Sequence, residues 1–254
     1  MDAYQAILLG FVQGVTEWLP ISSSAHLALA QRFFGIQSSI PFDIILHLGT
    51  LLAVLAYYRS DIVSILSGIL KKDEKSIRIA SLIVICAVPT AIIGLLFKDF
   101  FGSMFTNPIH IAIALSITGI FLILASGKNG DSSPSAKDAL IIGIAQGIAV
   151  APGISRSGAT IGTALFLGID KAEAARFSFL AGVIPILGAA ILEGRHAFGE
   201  SFEPLTLAAG FMAAAVAGYL SIGFFLDILK RSRLHYFGYY CLALAAFVAI
   251  LTLA

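Results

Sequence analysis

Charge is scarce in this chain of 254 residues: Asp, Glu, Lys and Arg make up 12% of it, against 58% hydrophobic residues and a mean hydropathy of +0.94. Soluble domains carry about twice that share of charge, so a soluble fold is excluded and a membrane protein is expected. Net charge is missing as well. The 16 basic and 15 acidic side chains leave +1, which gives no ground for a nucleic acid or an acidic partner. Cysteine is limited to Cys86 and Cys241, each inside an apolar run, which favours two buried free thiols over a disulfide or a metal pair. The opening Met1-Asp2-Ala3 lacks the basic stretch and small-residue cleavage pattern of a signal peptide, so the first apolar segment is expected to stay in the mature protein.

Six apolar stretches approach the length needed to cross a hydrocarbon core as helices: Phe42 to Tyr58, Ile79 to Phe97, Ile109 to Ala125, Phe177 to Leu192, Leu205 to Leu226 and Tyr236 to Ala254. Two further apolar regions, Ala6 to Phe34 and Ala139 to Leu167, are broken midway by Pro, Gly and clustered hydroxyl residues. Laid on each other at a constant shift of 133 residues, these regions pair Gly10 with Gly143, Gln13 with Gln146, Gly14 with Gly147, Ser22 with Ser155 and Ser24 with Ser157. The register continues through Phe33/Phe166, Gly35/Gly168, Ile36/Ile169 and Gly49/Gly182. A single integral membrane domain over 1–254, built of two repeats near 1–126 and 134–254, is the reading.

Each half is then one broken segment and three spans. If the broken segments are re-entrant helical hairpins, an odd number of crossings inverts the second half, and the two tips meet at the midplane. The expected fold class is therefore an all-α polytopic membrane protein, an inverted-topology repeat of six transmembrane helices plus two re-entrant hairpins. Basic residues agree with it. Twelve Lys and Arg side chains fall on the side of the 59–78 loop, against Arg32, Lys98 and Arg195 on the other, with Arg156 at a tip. The positive-inside bias places the first side in the cytoplasm and both termini outside.

The first broken segment, Gln13-Gly14-Val15-Thr16-Glu17-Trp18-Leu19-Pro20-Ile21-Ser22-Ser23-Ser24-Ala25-His26, sets a carboxylate, hydroxyls and an imidazole in apolar chain. Pro20 disfavours helix at Leu19, and the serines suit the N-cap of an outgoing half-helix. The second, Pro152-Gly153-Ile154-Ser155-Arg156-Ser157-Gly158-Ala159-Thr160, repeats the pattern with arginine in place of the middle serine. Two half-helix N-termini, several hydroxyls and a guanidinium suit a phosphate or pyrophosphate. Glu17 would repel that anion alone, so it holds a divalent cation or acts as a base. Against these stand blander readings: Ser24, Ser157 and Thr160 bonding back to backbone, Gly14, Gly147 and Gly158 serving close helix packing, and Glu17 with Arg156 forming a structural ion pair. Asp43 and His47, four residues apart, read as a structural pair or the lining of the cavity mouth, and Trp18 as isoprenoid contact or core filler.

These segments resemble the signatures of the undecaprenyl pyrophosphate phosphatase family, also called the bacitracin-resistance family. The resemblance rests on Gln13 to Glu17 as a Gln/Glu-x-x-x-Glu pattern, on Leu19 to His26, and on Pro152 to Thr160 as Pro-Gly-x-Ser-Arg-Ser-x-x-Thr, and extends over nearly the whole chain. It implies removal of the terminal phosphate from undecaprenyl or another polyprenyl pyrophosphate. That reaction recycles the lipid carrier for cell-wall peptidoglycan synthesis, confers bacitracin resistance, and is assisted by Mg²⁺ or Ca²⁺. It further implies that the catalytic set is Glu17, Ser23, His26 and Arg156, with Ser23 or His26 the nucleophile or its partner. Ser22, Ser24, Ser155, Arg156, Ser157 and Thr160 would bind the pyrophosphate, and Glu17 with Gln13 the metal. Gln13 stands where many members carry glutamate, which removes one anionic ligand. The protein is expected in the cell membrane with its site open to the outer face, among membrane lipids, either alone or as a homodimer. The phosphatidic-acid phosphatase motifs Lys-x6-Arg-Pro, Pro-Ser-Gly-His and Ser-Arg-x5-His-x3-Asp are absent. A transporter or polyprenyl-phosphate flippase is the competing class, because inverted repeats with broken helices also build transporters.

Overall fold

The computed structural model describes residues 1–37, 40–194 and 203–253, and among these it is all helical apart from one isolated parallel bridge between Ser132 and Ile169. The helices are α1 (Ala3–Trp18), α2 (Ser23–Phe33), α3 (Ile40–Tyr57), α4 (Arg59–Leu70), α5 (Glu74–Leu96), α6 (Lys98–Met104), α7 (Pro108–Ala125), α8 (Ala136–Ile148), α9 (Arg156–Phe166), α10 (Lys171–Gly194), α11 (Pro204–Lys230) and α12 (His235–Leu253). Helices α3, α5, α7, α10, α11 and α12 are long and apolar enough to cross a membrane, and they coincide with the six stretches read from hydropathy. The broken regions are the helix pairs α1–α2 and α8–α9. Helices α4 and α6 are additional to the six apolar stretches and the two broken regions. The turn after α4 ends at Asp73, whose carboxylate accepts from Ser76 Oγ and N at 2.7 and 2.8 Å to cap α5. Those bonds hold the Asp73 carboxyl below its usual range. Cys86 and Cys241 are buried free thiols, as expected.

Small residues set how the helices meet. In α1, Gly10 and Gly14 lie against Gly210, Ala214 and Gly218 of α11, and a Cβ at Gly14 would come within 2.6 Å of Ala214 O. The paired positions in α8, Gly143 and Gly147, lie against Cys86, Pro89 and Ile93 of α5. Where Pro89 removes a backbone donor, Thr90 Oγ1 bridges Cys86 O at 3.0 Å and Gly143 O at 2.9 Å. Gly119 of α7 and Gly238 of α12 face each other backbone to backbone. Thus α1 packs on α11 and α8 on α5.

The caps of α2 and α9 also correspond. Ile36 N bonds Gln31 O at 2.8 Å and Ile169 N bonds Ala164 O at 3.0 Å, with Gly35 and Gly168 at φ +63 and +79. Both are the left-handed glycine stop of a Schellman turn, 133 residues apart. The Ser132–Ile169 bridge brings the chain leaving α9 back to where it entered α8. The basic loops gather at that same end. Arg78 donates to Pro134 O, Arg176 Nε meets Asp61 at 2.6 Å, and Lys171 and Ser126 both bond Ser232. Arg195, assigned by sequence to the opposite side, lies outside the described residues.

Gly14→Leu is expected to lower stability by about 1–3 kcal/mol or more, because its side chain must displace the α11 backbone. Gly188→Ala, at a helical glycine with open space around it, serves as the control that holds or gains stability. Thermal melting in detergent, followed by size-exclusion monodispersity, checks both.

Candidate active site at the two helix breaks

Each break has a local cause. Leu19 is extended at ψ 146, as a residue before proline prefers, and α1 stops there. Three residues later Ser22 takes φ +67, a conformation that costs a non-glycine residue about 1–3 kcal/mol. In the second break Gly153 takes φ +95, and a Cβ there would meet Ile111 O and Ala114 at 2.7 Å. Thr118 of α7 holds this turn from below, donating to Gly153 O at 2.9 Å and accepting from Ser155 N at 3.2 Å.

The breaks are stitched to each other. Gly153 N donates to Ser22 Oγ at 3.1 Å, and Ser157 Oγ donates to Leu19 O at 3.0 Å. Arg156 Nη2 meets Glu17 Oε1, while Arg156 Nη1 donates to Gly182 O at 3.0 Å. The guanidinium also lies 5.6 Å from the Trp18 ring, whose other contact is an edge-on Phe179 at 5.2 Å. The second carboxylate oxygen, Glu17 Oε2, accepts from Ser23 Oγ at 2.5 Å and from Gln13 Nε2 at 2.8 Å. Glu17 is 6% exposed, so this set of donors replaces its hydration.

Gln13, Glu17, Ser23 and Arg156 are therefore brought into one cluster, with Ser22, Ser155 and Ser157 beside it. Not every hydroxyl is free for a ligand. Ser22 sits at the N-cap position of α2 but makes no capping bond; its positive φ aims the hydroxyl at the other break. Ser155 does cap α9, accepting from Gly158 N at 3.1 Å. Thr160 Oγ1 donates back to Arg156 O and pairs with Ser178 Oγ at 2.5 Å, and Ser24 Oγ lies 3.2 Å from Ser22 Oγ. Gly14 and Gly147 serve helix packing, and Gly158 keeps clearance beside Ser155 and Pro20. Trp18 fills the core at 1% exposure.

His26 is not brought to Ser23. Its Nδ1 is 2.8 Å from Ser22 O and its Nε2 is 2.7 Å from Tyr240 Oη in α12. The site instead holds His47, which the sequence left as either a structural partner of Asp43 or part of the cavity mouth. His47 Nε2 lies 3.8 Å from Glu17 Oε2, with Nδ1 2.8 Å from Asp43 O. The Asp43 side chain accepts from Gln31 Nε2 at 2.8 Å rather than pairing with the His47 ring. Gly182 was visible only as a register match to Gly49, and nothing in the sequence marked Thr118 or Tyr240.

A divalent cation needs hard oxygens. No group of three or more His, Cys, Asp or Glu converges among the described residues. Gln13 Oε1, however, is a buried acceptor with no protein partner beside the Glu17 carboxylate. Those two oxygens fit a cation that takes its remaining ligands from phosphate and water.

Removing Arg156 leaves a buried, uncompensated carboxylate. Arg156→Ala is expected to cost about 3–5 kcal/mol of stability, and the charge-free double variant Glu17→Gln/Arg156→Met is expected to melt above it. Fluorescence of Trp18, the single tryptophan of the chain, reads both transitions from beside the site.

Comparison with known proteins places this arrangement. Residues 6–247 match the family described as Bacitracin resistance protein BacA. A protein of Carboxydothermus hydrogenoformans named undecaprenyl-diphosphatase is 41% identical, covering 100% of this chain and 99% of that protein. Proteins of the same name from Rubrobacter xylanophilus and Methanobrevibacter smithii are 40% and 38% identical, the former covering 100% and 99% of the two chains and the latter 95% and 94%. With a match that runs through both helix breaks, five of the apolar spans and into the sixth, the chain belongs to the BacA family of bacitracin resistance proteins.

Proposed function

We propose that this protein hydrolyses undecaprenyl or a similar polyprenyl diphosphate to the monophosphate and inorganic phosphate. The carrying observation is the buried Glu17 carboxylate, with the Ser23 hydroxyl on one oxygen and the Arg156 guanidinium on the other. Phosphoryl transfer needs positioning and charge neutralisation more than covalent machinery. Arg156 exchanges its carboxylate partner for the terminal phosphate, which it can grip with two N–H groups. Glu17, relieved of the guanidinium, takes the proton of Ser23 as its oxygen attacks phosphorus. The bond from phosphorus to the bridging oxygen breaks, and Glu17 returns the proton to the departing lipid monophosphate. Water, deprotonated by the same carboxylate, then cleaves the phosphoserine and restores Ser23. Glu17 and Gln13 are the residues that would hold a Mg²⁺ or Ca²⁺ ion, which would supply further neutralisation of the diphosphate charge. Ser22, Ser24, Ser155, Ser157 and Thr160 line or brace this phosphate site. A transporter would need broken helices but not a serine hydroxyl bonded to a buried carboxylate.

The protein acts in the cell membrane. Its two halves are inverted repeats whose re-entrant hairpins meet at the midplane, a reading supported by the matching glycine caps and by the reciprocal packing of α1 on α11 and α8 on α5. The end that gathers the basic loops is cytoplasmic, both termini are outside, and the site opens to the outer face. Hydrolysis there recycles the lipid carrier for peptidoglycan synthesis, and depletion of free lipid diphosphate accounts for bacitracin resistance.

Phosphate release from undecaprenyl diphosphate by the purified protein, with Mg²⁺, with Ca²⁺ and with chelator, tests the reading. Glu17→Gln is expected to lower kcat by about 10²–10⁴-fold, with Ser23→Ala at least as low. A folded wild type that releases no phosphate under any metal condition, its Trp18 emission native, overturns the assignment.

A further inference from the structure

The strained Ser22 immediately precedes the proposed nucleophile, so whatever holds its backbone aims Ser23. Besides the neighbouring Ser24 hydroxyl, the other break and His26 hold it. Gly153 N takes the side chain, and His26 takes the carbonyl, through its own N–H at 3.2 Å and through Nδ1 at 2.8 Å. A carbonyl oxygen only accepts, so His26 Nδ1 carries a proton. No carboxylate lies within ion-pair distance of His26 among the described residues, so nothing balances a charge on the ring. In the neutral imidazole Nε2 is then the acceptor, and it faces the hydroxyl of Tyr240 at 2.7 Å. The two rings are nearly parallel, at 9°, with centroids 5.6 Å apart. Both nitrogens are thereby committed, and His26 keeps no lone pair for Ser23.

We propose that Tyr240 is a positioning residue for the hydrolysis: its hydroxyl fixes His26 in the tautomer that ties down the Ser22 carbonyl, and so fixes the direction from which Ser23 meets the diphosphate. The proposal rests on the reading of Ser23 as nucleophile. It extends the site to α12, a helix 214 residues downstream of His26 that carries none of the sequence motifs. Without the Tyr240 donor, the Nε2–H tautomer becomes available, and that form sets a lone pair on Nδ1 against the Ser22 oxygen. The clamp then slackens while the substrate contacts made by Arg156 remain.

Tyr240→Phe keeps the ring and removes the donor. In protein labelled with ¹⁵N in its five histidines, with His26→Gln assigning the His26 signals, the wild type is expected to show protonated Nδ1 and bare Nε2. Tyr240→Phe is expected to shift the His26 signals toward a mixture of tautomers. It should lower kcat about 3–10-fold, as loss of one neutral hydrogen bond does, and leave KM unchanged. The double variant Tyr240→Phe/His26→Gln should be no slower than His26→Gln alone. A wild-type His26 in the Nε2–H or doubly protonated form overturns the proposal, as does a Tyr240→Phe variant with unaltered His26 signals and kcat, or additive losses in the double variant. The spectra read the tautomer whether or not phosphate is released, so an inert wild type with the expected His26 tautomer condemns the proposed activity and not the lock.

Discussion

The contact between Arg156 and Glu17 is the constraint on which the rest of the structure turns. A carboxylate placed at 6% exposure in an apolar helix bundle is tenable only with donors on both of its oxygens. Its cation cannot come from α1 itself, since the neighbouring positions hold no basic residue. It comes from α9, which obliges the second break to stand against the first. Once that is required, Gly153 must turn at positive φ, Thr118 must receive the turn, and Ser157 must close on the carbonyl that Pro20 leaves at the end of α1. The glycines of α1 and α8 then let these helices approach α11 and α5 closely enough for the two breaks to meet.

The hydroxyls divide in a way that composition does not reveal. Ser23 alone bonds the carboxylate. Ser155 caps, Ser157 joins the two breaks, and Thr160 bonds inward to Ser178, so three hydroxyls of the second motif brace the arginine that separates them. The first motif carries the carboxylate and the hydroxyl bonded to it, and the second the braced cation.

Much of this was legible in the sequence. Hydropathy located all six spans, because a membrane imposes one length scale on every crossing. The shift of 133 residues paired Gly35 with Gly168, and the structure gives the reason, since each takes the positive φ of a left-handed stop that favours glycine. Pro20 and Gly153 announced the breaks. What the sequence withheld were contacts made only after folding. His26 lies three residues from Ser23 on the same helix, but its ring is taken up by the Ser22 carbonyl on one nitrogen and the Tyr240 hydroxyl on the other, a partner the sequence does not mark. His47 reaches Glu17 from α3, and Gly182 contributes a carbonyl that any residue type would possess. Helices α4 and α6 are short and partly polar, so no periodic apolar run marked them.

The seam between the two breaks also sets a requirement on biosynthesis. Leu19 O and Ser22 Oγ are satisfied by Ser157 and Gly153, which leave the ribosome more than 130 residues later. At roughly 5–20 residues per second, about 7–27 s separate the synthesis of the two sides of this seam. The first break therefore cannot complete its hydrogen bonds to the second until α9 has been made.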